Sequence, residues 1–319
     1  MNKVYYTCQQ YVNKFKKDFY NKNFKIAFHN IHLQKNIIME SIEKLEEICT
    51  QVRRDIVRMV HANNSGHPGG SLGCTEFLTS LYFNVLKHDT NFKMDGVNED
   101  LFFLSNGHIS PVFYSVLARS GYFHVSELAT FRKLNSRLQG HPTTHEGLEG
   151  VRIASGSLGQ GMSVAIGAAQ SKKLNNDSNL IYSLHGDGEL QEGQIWESIM
   201  YASGKKIDNL IATIDYNKKQ IDGEIEDVLP MGDLKAKFLA FDWLVLEVLE
   251  GNNISKILDT LKEAKAKSGK GKPIAILLHT EMGNGVDYMM GTHKWHGSAP
   301  NDIQLKDALL QNTETLGDY

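Results

Sequence analysis

Cysteine is scarce. Cys8, Cys49 and Cys74 are the only three in 319 residues, too few and too unevenly spaced for a disulfide framework or a cysteine zinc site. That usage fits a reducing compartment, and the expected location is cytoplasmic. An excess of one charge is also missing. The formal net charge is −3, which gives no global pull toward nucleic acid or a membrane surface. No apolar run approaches the roughly 20 residues that a membrane-spanning helix needs. No Pro- or Gly-rich linker and no internal repeat divides the chain, so one domain is expected rather than two. What the chain does have is 41% hydrophobic residues, enough at this length for a sizeable core.

The first 38 residues stand apart. They carry seven lysines against one acidic residue, and 25 of the 38 are Lys, Asn, Phe, Tyr or Ile, all served by codons of A and T alone. They have no apolar h-region, which argues against a secretory signal, and no Arg or Ser, which argues against a transit peptide. Residues 1–38 are therefore expected to be an extension, either disordered or an overlong reading of the gene with Met39 as the true start. A basic nucleic-acid-binding arm is the rival reading. Residues 39–319 are the expected domain.

From Met39 the pattern is regular. Ile42, Leu45, Ile48, Val52, Ile56 and Val60 recur at helical spacing, which predicts a helix over 39–62. Ser71 is placed to cap a second helix reaching about Leu86, and Ser126 a further short one. Strands are expected at 101–104, 179–184, 209–215, 243–249 and 273–279. Helices are expected before Gly121 and over 189–204, 233–241 and 254–267, with a glycine loop opening another up to Leu174. Strands alternating with helices predict an α/β fold, a doubly wound, mostly parallel sheet with helices on both faces.

The strongest local signal is Gly186-Asp187-Gly188, with Asn217 at the end of the following strand. Both lie where predicted strands end, the edge at which open parallel sheets bind ligands. Asp and Asn offer hard oxygen ligands suited to Mg²⁺ or Ca²⁺ rather than zinc. An ion held by so few protein ligands completes its shell with water and phosphate oxygens. Four histidines next to glycine, His67, His108, His141 and His296, fall in loops at the same side, where imidazoles can move protons or donate to anionic oxygens. His185 precedes the metal position inside a strand and reads as structural. Gly156-Ser157-Leu158-Gly159-Gln160-Gly161 is a glycine loop opening a helix. Its GxxGxG spacing is not the dinucleotide GxGxxG, and it suits a flat ring and a diphosphate equally well. Glu192 and Glu197 follow on the next helix, with Trp196 between them as a core or interface residue.

Together these strings resemble the N-terminal, diphosphate-binding half of transketolase. SGHPGGSLG from Ser65, LSNGH from Leu104, QGHP from Gln139, GSLGQG from Gly156, GDGELQEG from Gly186, IDYNKKQIDG from Ile214 and HKWHGSAP from His293 occur in the family's order. The resemblance implies thiamine diphosphate and Mg²⁺ (or Ca²⁺) as cofactors. It implies a metal held by Asp187, Asn217 and the Lys219 carbonyl, at a position where transketolases often have an apolar residue. His108, Gly188 and His296 would contact the diphosphate, and Gly156, Ser157 and Leu158 the aminopyrimidine. His67, His108, His141 and His296 would be the catalytic set, with His67, His141 and His296 facing the sugar. Glu192 would join the cofactor network and Glu197 the subunit contact. The implied activity is transfer of a two-carbon ketol unit from xylulose 5-phosphate to ribose 5-phosphate. The family's pyrimidine-binding half would come from a separate C-terminal subunit, in a homodimer or heterotetramer, with neither nucleic acid nor membrane as partner. The alternatives are half of a deoxyxylulose-phosphate synthase-like or 2-oxo-acid dehydrogenase-like enzyme, whose members generally lack the His141 and His296 pair, or a non-catalytic assembly subunit.

Overall fold

In the computed structural model, which describes residues 39–319, Ser41 opens the first helix. Its side chain accepts the Lys44 N–H, and α1 (Ile42–Ala62) follows with Leu45, Ile48, Val52 and Ile56 along its buried face. The expectations for residues 1–38 lie outside the described residues. The second helix starts earlier than expected. Pro68 takes the first position of α2 (Pro68–Gly73), where its missing N–H is harmless. Ser71 therefore lies inside the helix and bonds back to the His67 carbonyl at 2.7 Å instead of capping. The helical path continues through α3 (Thr75–Ser80) and a π turn at Leu81–Val85. The short turn at Val125–Thr130 is likewise capped by His124, whose side chain accepts the Ser126 N–H, and not by Ser126.

Five strands build the main sheet: β1 (Leu101–Leu104), β2 (Ile181–Gly186), β3 (Leu210–Asp215), β6 (Leu244–Val248) and β7 (Ile274–Leu278). They are all parallel and lie in the order β1-β2-β3-β7-β6. Side chains alternate across a strand, and here both faces are apolar. Phe102, Leu104, Tyr182, Leu184, Ile211 and Ile276 join one core with α1, α3, α4 (Ser110–Arg119) and α9 (Ile254–Lys267). Leu101, Phe103, Ile181, Ala212, Ile214 and Leu277 join the other with α5 (Gln160–Leu174), α6 (Gly193–Gly204) and α8 (Leu234–Ala240). Burial on both faces is what a parallel sheet flanked by helices requires, and it explains why the strands read as apolar runs. No helix among the described residues is long and apolar enough to cross a membrane.

Three elements were not anticipated. A hairpin of β4 (Lys219–Gln220) and β5 (Gly223–Glu224) follows Asn217 and leads into the single turn α7 (Ile225–Val228). Near the end, Asn301 and Gln304 form a reciprocal capping box that starts α10 (Asp302–Gln311). The tail then lies across α1, where Gln51 Oε1 accepts the Thr315 and Leu316 N–H groups and Arg54 donates to Asp318. The consequence for function is geometric. The carboxyl ends of β1, β2 and β3 deliver Ser105–His108, Asp187 and Asn217 to the same edge of the sheet.

Candidate functional site

Asp187 and Asn217 are buried where β2 and β3 end, at 1% and 8% exposure. Asp187 accepts the Gly188 N–H at 2.8 Å and the Lys218 N–H on its other oxygen. The chain reaches that second bond by turning through a left-handed residue, Lys218 at φ 62°. The orientation of Asn217 is set by Asp215, also buried. Asp215 Oδ2 accepts Asn217 Nδ2 at 2.9 Å, which leaves Asn217 Oδ1 as the outward atom, accepting the Lys219 N–H at 2.8 Å. Asp215 in turn accepts from the Thr280 hydroxyl. Lys219 sends its own ammonium to Glu224, 3.9 Å away across the hairpin, so its side chain is turned aside from its backbone.

The electrostatics here are unbalanced. Burial and the neighbouring Asp215 carboxylate push the Asp187 carboxyl well above the usual range, although the Lys218 and Gly188 donors pull the other way. Burial pushes Asp215 up as well. Two buried carboxylates side by side, with no cationic side chain among the causes acting on either, are a charge deficit that a divalent cation relieves. Among the described residues, no group of three or more His, Cys, Asp or Glu could hold a metal by itself. An ion here therefore draws the rest of its shell from a ligand or water.

The glycine loop is tied to the Asp187 segment through Glu189, which accepts the Gly159 N–H. Gly107, after β1, comes so close to the loop that an added Cβ would lie 2.4 Å from Ser155 Oγ and 2.8 Å from Gly156 N. Gly156, at φ 116°, faces the His141 ring, with an added Cβ 2.7 Å from His141 Cδ2. Ser157 is exposed and accepts from Gln160 Nε2 at 2.9 Å, while the half-buried Leu158 gives its carbonyl to Gln194 Nε2 at 3.1 Å. The Gly159 N–H is already donated to Glu189 Oε1 at 2.8 Å. That amide is spent, which favours a platform for a ring over a phosphate cradle. Glu192 is exposed beside the loop, at the start of α6. Glu197 lies further along α6, on a groove of about 430 Å³ that it shares with Ser163, Gly167 and Tyr201. His185, fully buried and bonded to Ser183 Oγ at 2.9 Å, is a strand residue, as its position suggested.

All four loop histidines meet. The His67 ring centroid lies 5.1 Å from that of His108, 5.7 Å from His296 and 6.3 Å from His141. His108 and His296 stack at 5.1 Å. The cluster is tied to the carboxylate–amide pair from two sides. Asn106, two residues before His108, lies against Gly186, and Ile221 of the hairpin that follows Asn217 reaches Gly297 beside His67. Burial first, then His296, Arg132 and His141, lower His67 to about 4. Burial also lowers His108, helped by His296 and His67, and lowers His141, helped by Arg132. It lowers His296 despite Asp222 nearby. At neutral pH these are neutral imidazoles, each with one donor and one acceptor nitrogen.

Several buried atoms at this site have no partner: His67 Nδ1, His296 Nδ1, Asn106 Oδ1 and Ser155 Oγ. Among the described residues, thirteen buried side-chain atoms lack a partner; these four lie on the histidine cluster and the loops beside it, where the donors and acceptors suit a polar, phosphate-bearing ligand. A second cleft of about 710 Å³, lined by Arg53, Glu76, Asn252 and Glu281, differs in this respect. Arg53 and Asn252 both bond Glu76 there, and no lining residue leaves an orphaned atom. Sequence reading missed Asn106, Arg132, Glu189 and Asp215. Asn106, Glu189 and Asp215 lie inside the strings LSNGH, GDGELQEG and IDYNKKQIDG but were given no role; Arg132 lies outside all of them, and its contacts have no local pattern.

Comparison with known proteins agrees with the motifs. The family model described as "Transketolase, thiamine diphosphate binding domain" matches residues 45–313. A 6-deoxy-6-sulfo-D-fructose transketolase subunit of Clostridium sp. strain MSTE9 is 38% identical over 267 residues, spanning 84% of this chain and 95% of that one. An apulose-4-phosphate transketolase subunit of Actinobacillus succinogenes is 37% identical over 273 residues, spanning 84% and 96%. The solved transketolase of Campylobacter jejuni superposes with a TM-score of 0.78 at 34% identity, covering 86% of this chain but 43% of that protein. The chain thus spans less than half of the whole transketolase, and nearly the full length of the two subunits. It belongs to the transketolase family, as the thiamine diphosphate-binding part of such an enzyme.

Proposed function

We propose that this chain is the diphosphate-binding subunit of a split transketolase, moving a two-carbon ketol unit from a ketose phosphate to an aldose phosphate with a separate C-terminal subunit. The observation that carries the reading is the convergence of four neutral histidines beside a buried carboxylate–amide pair. The two relatives of matching length, both named as transketolase subunits, support the split arrangement. In this reading Asp187, Asn217 Oδ1 and the Lys219 carbonyl hold Mg²⁺, and His108 and His296 hold the diphosphate, with Gly188, whose N–H is engaged by Asp187, giving it room. Gly156, Ser157 and Leu158 back the aminopyrimidine. Thiamine diphosphate, when bound, supplies the carbanion-stabilising chemistry that breaks the carbon–carbon bond.

The chain's own residues do the rest. His67 and His296, whose ring centroids lie 5.7 Å apart in the cluster, hold the sugar's hydroxyls and pass protons to and from its oxygens. His141 lies under the influence of Arg132, whose cation favours an anionic substrate. The groove on α5 and α6 at Glu197 is the face for a second copy, giving two of each subunit in the cytoplasm. Xylulose 5-phosphate and ribose 5-phosphate are the proposed donor and acceptor. The relatives' names show that similar subunits serve other sugars, so 6-deoxy-6-sulfofructose and apulose 4-phosphate belong in the same panel.

The test is reconstitution. The purified chain, saturated with thiamine diphosphate and Mg²⁺, is assayed on this panel with and without a C-terminal transketolase subunit from the same source. Ketol transfer only in the mixture supports the proposal. Turnover of pyruvate instead, or cofactor binding with no transfer from any ketose, would sink it.

A further inference from the structure

Glu189 is the least expected residue of the site. It follows Gly188 directly, is 2% exposed, and receives donors from three separate segments. Oε1 accepts from the Ser105 hydroxyl after β1 and from the Gly159 N–H at 2.8 Å, while Oε2 accepts the Gly186 N–H at 3.1 Å. His185 Nδ1 stands 3.7 Å from Oε2. Ser105 and Gly159 lie 84 and 30 residues away in the chain. A buried carboxylate is costly unless it is fully hydrogen-bonded, and here the donors answer that cost.

The bond to Gly159 solves a second problem. Gly159, at φ 86°, is the N-cap of α5 and has no side chain to satisfy the orphan amides of the helix start. Glu189 provides an acceptor from outside the helix, with a negative charge at the positive end of the helix dipole. One side chain therefore joins the segment leading to His108, the glycine loop and the strand end that carries Asp187. We propose that Glu189 is a positioning residue that fixes the glycine loop against the cofactor ring relative to the metal ligands, acting without touching either. The inference rests on the cofactor assignment made above.

The experiment compares Glu189→Gln with wild type in the enzyme assembled with its partner subunit. The amide keeps the shape but turns an NH₂ toward one of the donors. The readouts are thiamine diphosphate affinity by calorimetry at saturating Mg²⁺, the melting temperature of the apo-chain, and kcat at saturating cofactor. Supporting residues around such a site typically contribute 10- to 100-fold in affinity, so a loss of about that size is expected. The kcat at saturation should stay within about threefold, because the chemistry-bearing groups are untouched. A purely structural role predicts the reverse, a lowered melting temperature and kcat with unchanged affinity. Should Glu189→Gln fail to fold, Ser105→Ala removes one donor and is expected to weaken cofactor binding about threefold. Unchanged affinity in whichever variant folds overturns the inference. Absence of cofactor binding by the wild type would instead overturn the cofactor reading, so the two failures are distinguishable.

Discussion

Replacing Asp215 by Asn should impair the proposed metal site without contacting the ion. In the native arrangement Asp215 is an acceptor only. It takes Asn217 Nδ2 on one oxygen and the Thr280 hydroxyl on the other, so Asn217 has one available orientation and Oδ1 faces outward. An Asn at 215 brings an NH₂ to a place where two donors already point. Either two NH₂ groups face each other, or the Asn217 amide turns over and offers hydrogens where the ion needs oxygen. Outer-shell partners of metal ligands typically contribute 10- to 100-fold in affinity, about 1.4–2.8 kcal/mol.

Stability should move far less. The variant loses a hydrogen bond, about 0.5–1.5 kcal/mol, but it also removes the negative charge that, after burial, pushes the Asp187 carboxyl upward. The two effects oppose each other, so the melting temperature of the apo-chain should change by less than about 4 °C. The assay is a Mg²⁺ titration of thiamine diphosphate binding, followed by calorimetry on the enzyme assembled with its partner subunit. Thr280→Val is the control, since it removes one bond and leaves the Asn217 orientation intact. An unchanged Mg²⁺ requirement in Asp215→Asn would show that Asn217 is oriented by something else, and the reasoning would fail.

Other expectations concern stability. Arg119 makes two bonds to the fully buried Asp55, at 2.8 and 2.9 Å; Arg119→Ala leaves that charge unpaired and should cost about 3–5 kcal/mol in urea unfolding, much of it recovered in the double variant with Asp55→Ala. Gly107→Ala drives a methyl to within 2.4 Å of Ser155 Oγ and should cost about 1–3 kcal/mol while pushing the glycine loop outward; a melting temperature equal to wild type would show that the loop yields freely. Acid should destabilise the apo-chain through the histidine cluster. His67 titrates near 4 in the fold against an ordinary 6.5, so the unfolded chain takes up a proton that the fold refuses. The stabilisation is complete above about pH 6.5 and is lost as pH falls toward 4, by about 1–2 kcal/mol after allowance for partial exposure. Denaturant titrations of wild type and His67→Gln across that range should diverge only in the acid half.

The strands were legible because the central strands are buried on both faces and each strand is mostly apolar. The expected 101–104 matches β1 residue for residue, and the expected 209–215 exceeds β3 by one residue. The second strand was placed two residues early, since its end, His185 and Gly186, is polar and glycine rather than apolar. α10 went unseen for the opposite reason. Only Ala308 is buried along it, so there is little stripe to detect, and its one clear signal was the Asn301–Gln304 capping box.

The site divides along the same physical line. Groups that meet a ligand sit at strand ends and in the loops beside them, where glycines mark them in sequence. Groups that hold those ligand-binding residues in place are buried polar side chains, and each must find its donors wherever the fold brings them. Asp215 and Thr280 are 65 residues apart, and Glu189 and Ser105 are 84. Neither carboxylate has a local signature: Asp215 ends an apolar strand, and Glu189 reads as one more acidic residue at the start of a helix. What exposes them is the energetic rule that an ionised group cannot stay buried without donors or a countercharge. That rule acts on assembled neighbours, so it can be applied only once the strands have brought distant segments together.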